Sequence, residues 1–235
     1  MGNYLVVDDN LASAENLAEI IADGGDEAVV AGSGARALEL VASRHFDALV
    51  SDMRMPLMSG AEMVLRTRQI DPGLPAIIMT AYTADGELDD ARHLGLLDIL
   101  AKPVPISYLL ELLRSARRYG LVAIVEHDSA VALGLSVVLR QHGFASVMAS
   151  TIDEIESLRE LPLFAAIVEP SIPGGPSGET VRRLHVHFPA LPVIAATGEA
   201  SLTLPFGAAS RSGKPFDPSA IVDRLEGLHA RHPRA

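Results

Sequence analysis

With 235 residues, 49% of them hydrophobic and 21% charged, the chain has the makeup of a folded protein large enough for two domains, which excludes a disordered one. A net charge of −11, the absence of a long basic run and an aromatic set of only four Tyr and six Phe argue against direct nucleic-acid binding. The lack of cysteine excludes disulfides and thiolate metal sites, and no apolar run approaches the roughly 18 residues that a membrane span needs.

The chain opens on "MGNYLVVDDN", which reaches two aspartates at once and lacks the basic-then-apolar order of a secretory signal; the expectation is a cytoplasmic protein. Short apolar runs occupy 4–7, 27–31, 47–51, 76–80 and 98–102. Each is too short for a core helix and most are bounded by Asp, Gly or Pro, so they read as buried strands. Between them, helical spacing puts Leu11, Ala14, Leu17, Ala18 and Ile21 on one face. Ala37, Leu38, Leu40 and Val41 form a second face, and Met63, Val64, Thr67 and Ile70 a third. "GSGARA" (32–37) mimics a dinucleotide-binding fingerprint, but it follows the second strand and reads better as a turn and helix start. Met53, Met55 and Met58 read as gap-filling core residues rather than a thioether metal site. "ELLRSARRYG" reads as a helix ending at Gly120, followed directly by a strand, a join short enough to restrict relative motion.

From there the plan repeats. "YLVVDDN" returns as "VAIVEHD" (122–128) at an offset of 118, "LPAIIMTA" as "LPVIAATG" (191–198) at 117, and "LAKPV" as "SGKPF" (212–216) at 112. Two domains, 1–118 and 119–235, account for the chain. Strands alternating with helices in each predict an α/β architecture with a parallel, doubly wound sheet, whose ligands gather at the carboxyl ends of the strands.

Those strand ends carry Asp8 and Asp9, Asp52, Thr80 and Lys102 in the first domain. Taken singly, the aspartates fit helix caps. Held together, three carboxylates repel one another, and a divalent cation relieves the repulsion; an all-oxygen, partly hydrated cluster suits magnesium. Lys102 and Thr80 add a positive charge and a hydroxyl, a set suited to a phosphoryl group on Asp52.

The acid pair after the first strand, "SDMRMP", "MTA" and "KP", in that order, resemble the receiver domain of two-component response regulators, and the likeness extends over both halves. It implies two flavodoxin-like (βα)5 domains with five-stranded parallel sheets. In the first, the resemblance implies that Asp52 takes a phosphoryl group from a kinase phosphohistidine. Mg2+ is then held by Asp8, Asp9, Asp52 and the Arg54 carbonyl, with Asp8 acting through metal-bound water, while Thr80 and Lys102 bind the phosphoryl group. The family usually has an aromatic residue three positions before the lysine; here it is Ile99, which puts the coupling from phosphate to surface in question. Arg54 and Tyr82 flank the site and are expected to slow the access of water.

In the second domain Glu126, His127 and Glu169 replace Asp8, Asp9 and Asp52, while Thr197 and Lys214 survive as a pseudo-site. Only 16 residues separate Thr197 from Lys214, against 21 between Thr80 and Lys102, and "SLTLPFGAASRSG" (201–213) reads as largely loop. The longer side chain of Glu169 pushes its carboxylate into the place of a phosphoryl group, so this domain is expected to be a pseudoreceiver. Two readings remain: Glu169 imitates a phosphorylated aspartate, or the site has decayed and left a binding or dimerisation module. A register change that makes Asp128 a metal ligand is a further alternative. His185 and His187, and the tail "HARHPRA", read as a solvated helix and tail rather than a metal or phosphotransfer site.

The function expected on this resemblance is a phosphorelay response regulator without an output domain, phosphorylated on itself rather than acting as an enzyme. Its expected partners are a sensor histidine kinase or histidine phosphotransfer protein, with a homodimer as a candidate assembly through helix 105–120, and neither nucleic acid nor membrane. The rivals are a non-phosphorylated scaffold and an aspartyl-phosphate phosphatase, though the latter places a second acid where Arg54 stands.

Overall fold

The computed structural model describes residues 1–81, 93–169, 172, 178–197, 208–213 and 217–231, with only the backbone of 197 and 208–213. The chain forms two compact units, Met1–Tyr119 and Gly120–Ala235.

In the first unit, five strands form a parallel sheet: β1 (Asn3–Val7), β2 (Glu27–Ala31), β3 (Ala48–Asp52), β4 (Ala76–Thr80) and β5 (Asp98–Ala101). Their order is β2-β1-β3-β4-β5, so the chain reverses its winding direction after β2. Strands covered on both faces are apolar at nearly every position, and alternate residues enter opposite cores. Leu5, Val7, Leu49 and Ile78 share one cluster with Ala37, Leu40, Met63 and Val64 of helices Gly34–Ser43 and Gly60–Ile70. Tyr4, Val6, Val50 and Ile77 share the other with Ala14, Leu17, Leu109 and Leu113 of helices Leu11–Asp23 and Ile106–Ser115. Met53 and Met55 lie inside the first cluster and Met58 packs on it, so these methionines fill core. "GSGARA" supplies a turn and the cap of the second helix, the Ser33 side chain accepting from the Arg36 amide.

Two residues assigned to buried faces are exposed: Leu11 at 51% and Ile70 at 44%. Each is a terminal residue of its helix, where one face no longer lies over the sheet. The last helix of the unit ends at Ser115, not at Gly120. Its continuation is captured elsewhere. Arg118 Nη2 donates to both carboxylate oxygens of Asp71 at 2.8 Å, and the Tyr119 amide donates to Gly73 O at 2.9 Å. Tyr119 takes a left-handed φ of 55°, and its ring covers Gly73 so closely that a Cβ there would lie 2.5 Å from it. These contacts outweigh the helical propensity of "ARRY", because a paired and partly buried guanidinium fixes the chain direction.

The second unit is built from β6 (Leu121–Val125), β7 (Ala145–Ala149), β8 (Ala165–Val168), β9 (Val193–Thr197) and β10 (Ala208–Gly213), all parallel. Their order, β7-β6-β8-β9-β10, repeats that of the first unit. Helices Ser129–Gln141, Glu179–His187 and Pro218–His229 accompany it, and a 3-10 turn, Asp153–Leu158, follows β7. The segment 201–213 is corrected in part: 208–213 form an edge strand, while 201–207 lie outside the described residues. "AASRSG" has little strand propensity, and backbone pairing with β9, interrupted by a bulge between Ala208 and Ser210, makes it a strand. His185 and His187 are half-buried, not solvated: His185 Nε2 lies 3.2 Å from Leu191 O, and His187 pairs with Glu156 at 2.9 Å. Among the described residues no helix is long and apolar enough to cross a membrane.

Tyr4 ties the fold of the first unit to pH. Burial, and then the charges of Asp26 and Asp47, push its phenol up to about 12. An unfolded tyrosine ionises near pH 10, so between about pH 10 and 12 the unfolded chain has released a proton that the folded one retains, and stability falls as pH rises. Denaturant unfolding of wild type and Tyr4→Phe across this range should show a steeper alkaline loss in the wild type. Parallel curves would remove Tyr4 as the cause.

Candidate functional site

Asp8 follows β1 directly, and Asp52 is the last residue of β3, its neighbour in the sheet. Both are buried, at 3% and 8% exposure. Their carboxylates are oriented by the turns they begin: Asp8 Oδ1 accepts from the Asn10 amide at 2.9 Å, and Asp52 Oδ2 from the Arg54 amide at 2.7 Å. The other oxygen of each faces the same cation. Lys102 Nζ lies 3.2 Å from Asp8 Oδ2 and makes a short contact with Asp52 Oδ1. Lys102 follows β5, and its amide donates to Thr80 O at 2.7 Å, which joins it to the end of β4. Thr80 is itself 3% exposed. Partial burial of Lys102 lowers its pKa, but the hydrogen bonds and charges of Asp52 and Asp8 outweigh that and hold the ammonium above its usual range.

Asp9 stands at the exposed rim, outside this network. Two carboxylates against one ammonium leave a net negative charge, and Asp9 adds to it. The carboxylates of Asp8, Asp9 and Asp52 form an all-oxygen donor set, which fits a hard divalent ion such as Mg2+. Ile99 packs on the core cluster that contains Ile78 and Leu96. Tyr82 lies outside the described residues.

Two positioning residues carry no chemistry of their own. Gly60 starts the helix after β3, its amide donating to Met53 O at 2.8 Å, and a Cβ there would lie 2.2 Å from Asp52 O. Ser51 Oγ donates to the same carbonyl at 2.8 Å. The signal for Gly60 was present as a glycine just behind the Ser59 cap, but its close approach is a tertiary fact. A cavity of about 390 Å³ opens beside Asp8 and Lys102, lined by Val6, Leu17, Met79 and Leu109.

The corresponding strand ends of the second unit are arranged differently. Glu126 is 3% exposed, its amide donating to Ala149 O at 3.0 Å and its Oε1 accepting from the Asp128 amide at 3.0 Å. Glu169 follows β8, its amide donating to Val125 O at 2.8 Å. Between the two carboxylates sits His127 Nδ1, 2.5 Å from Glu169 Oε2 and 3.3 Å from Glu126 Oε1. Asp128 caps the following helix, accepting from the amides of Ala130 and Val131, so the register that made it a metal ligand is set aside. Thr197 closes β9, while Lys214 lies outside the described residues.

A family model described as "Response regulator receiver domain" matches residues 4–114. A "response regulator receiver protein" of Anaeromyxobacter sp. (strain Fw109-5) is 48% identical over 229 residues, covering 97% of this chain and 96% of that one. The chain belongs to the response regulator receiver family. Another relative is longer: the transcriptional regulatory protein ZraR of Escherichia coli O157:H7 is 31% identical over 58% of this chain, and the match covers 31% of ZraR. Among solved structures, a response regulator receiver protein from Pseudomonas putida is 31% identical with a TM-score of 0.46, covering 48% of this chain and 95% of that one. The family match falls on the first unit, whose crevice between β1 and β3 lies where the winding reverses.

With Lys102→Met, Asp8 and Asp52 would face each other without a counter-charge, so the fold should lose stability at neutral pH. Denaturant unfolding without metal at pH 7 reads this directly; a variant as stable as the wild type would mean that the ammonium does not offset the two acids.

Proposed function

We propose that the first unit is a phosphoacceptor whose nucleophile is Asp52. The carboxylate attacks the phosphorus of a phosphohistidine on a sensor kinase or phosphotransfer protein, the P–N bond breaks, and the imidazole leaves with the proton that balances its charge. The observation that carries this reading is the shared ammonium. Lys102 is already paired with the attacking carboxylate, so the charge that builds on the phosphoryl oxygens meets a cation that needs no rearrangement to reach it. Thr80, buried at the end of the neighbouring strand, places a hydroxyl on the same edge. Asp8, Asp9, Asp52 and the Arg54 carbonyl would hold Mg2+, which supplies further charge neutralisation when bound. Ile99, already packed on the core, leaves no aromatic ring to follow Thr80, so coupling to the surface takes another route.

The second unit is read as a pseudoreceiver. Glu169 is engaged by His127, and its longer side chain takes the space a phosphoryl group would need. That engagement favours a binding or dimerisation module over a permanent imitation of the phosphorylated state. Output then passes by protein contact or by onward phosphotransfer.

Intact-mass analysis after incubation with acetyl phosphate and Mg2+ should show one added phosphoryl group. It should be lost in Asp52→Asn and kept in Glu169→Ala. No addition to the wild type would favour the scaffold reading, a second addition would overturn the pseudoreceiver, and turnover of a small phosphate ester would favour a phosphatase.

A further inference from the structure

The three side chains that replace the aspartates in the second unit converge more closely than those they replace. One carboxylate oxygen each from Glu126 and Glu169 and a ring nitrogen of His127 lie within 4.8 Å of one another, and this is the one such group of metal-ligating side chains among the described residues. It is not a patch of solvated surface acids, since Glu126 is buried. His127 Nδ1 faces both carboxylates, at 2.5 and 3.3 Å, yet a ring nitrogen carries at most one proton, which the two oxygens would have to share. A cation at that focus would meet the imidazole lone pair and both anions together.

The scaffold holds the donors in place. The amides of Glu126 and Glu169 are fixed to neighbouring strands, and the Asp128 amide orients the Glu126 carboxylate. A hydrogen bond of that kind to a ligating carboxylate positions it for a metal. The His127 side chain is 47% exposed, so its outer side offers an entry path and room for water ligands. Charge closes as well: two glutamates neutralise one divalent ion.

We infer that Glu126, His127 and Glu169 form a site for a divalent transition ion of the zinc class, distinct in chemistry from the all-oxygen pocket of the first unit. The imidazole decides the class. Nitrogen and carboxylate donors favour Zn2+ and its neighbours over Mg2+, which dehydrates reluctantly and prefers oxygen. The exchange of Asp9 for His127 therefore changes the ion the strand ends select.

Calorimetric titration of the EDTA-stripped full chain with ZnCl2, in excess Mg2+ to fill the first unit, tests this. One Zn2+ per chain should bind. The His127→Ala and isosteric Glu169→Gln chains, checked for folding by circular dichroism, should each bind at least about tenfold more weakly. Asp9→Asn should retain the full equivalent, which keeps the outcome separate from phosphorylation of Asp52. With Co2+ in place of Zn2+, the wild type should show a visible ligand-field band that His127→Ala lacks. No Zn2+ uptake by the wild type, displacement by Mg2+, or binding that survives in His127→Ala would each overturn the assignment.

Discussion

Two buried carboxylates on neighbouring strands repel each other, and in the first unit the cation that faces both of them is Lys102. The remaining features of the site serve this arrangement. Parallel pairing of β1 with β3 brings Asp8 beside Asp52, and the bond from the Lys102 amide to Thr80 O carries the lysine to the same edge. Gly60 lets the following helix start close against the Asp52 carbonyl. The resulting crevice keeps an excess of negative charge, which favours a further cation.

The second unit meets the same constraint with other chemistry. Its sheet order is unchanged and its strand ends again present two acids, but the group between them is the imidazole of His127. The Lys102 ammonium reaches its two carboxylates from another strand end, whereas the His127 imidazole stands next to Glu126 in the chain. One sheet design thus supports two kinds of site, and the difference lies in where the positive or Lewis-basic group is attached.

The family resemblance rested on residues that are close in sequence to strand ends, and these were legible because the chemistry sits one residue beyond an apolar run. Packing at element ends was less so. Leu11 and Ile70 match their helical faces by period, yet each lies at the helix end, where the sheet no longer covers it. The helix expected to run to Gly120 stops at Ser115 because Arg118 and Tyr119 find partners at Asp71 and Gly73, more than forty positions away. "AASRSG" gives no strand signal and is a strand because β9 offers it a free edge to pair with.

By itself the sequence determined the doubly wound order of strands and helices, the repeat, and which residue types stand at each strand end, since period and apolar content are local properties that survive in the unfolded chain. Only the tertiary structure decided which carboxylates share a counter-charge. Asp8, Asp52 and Lys102 come from three strands, while Asp9, next to Asp8 in sequence, stays on the rim. Likewise, only the fold turned Glu169 onto His127, because distances between strand ends depend on sheet register and side-chain direction, and neither is written in spacing along the chain.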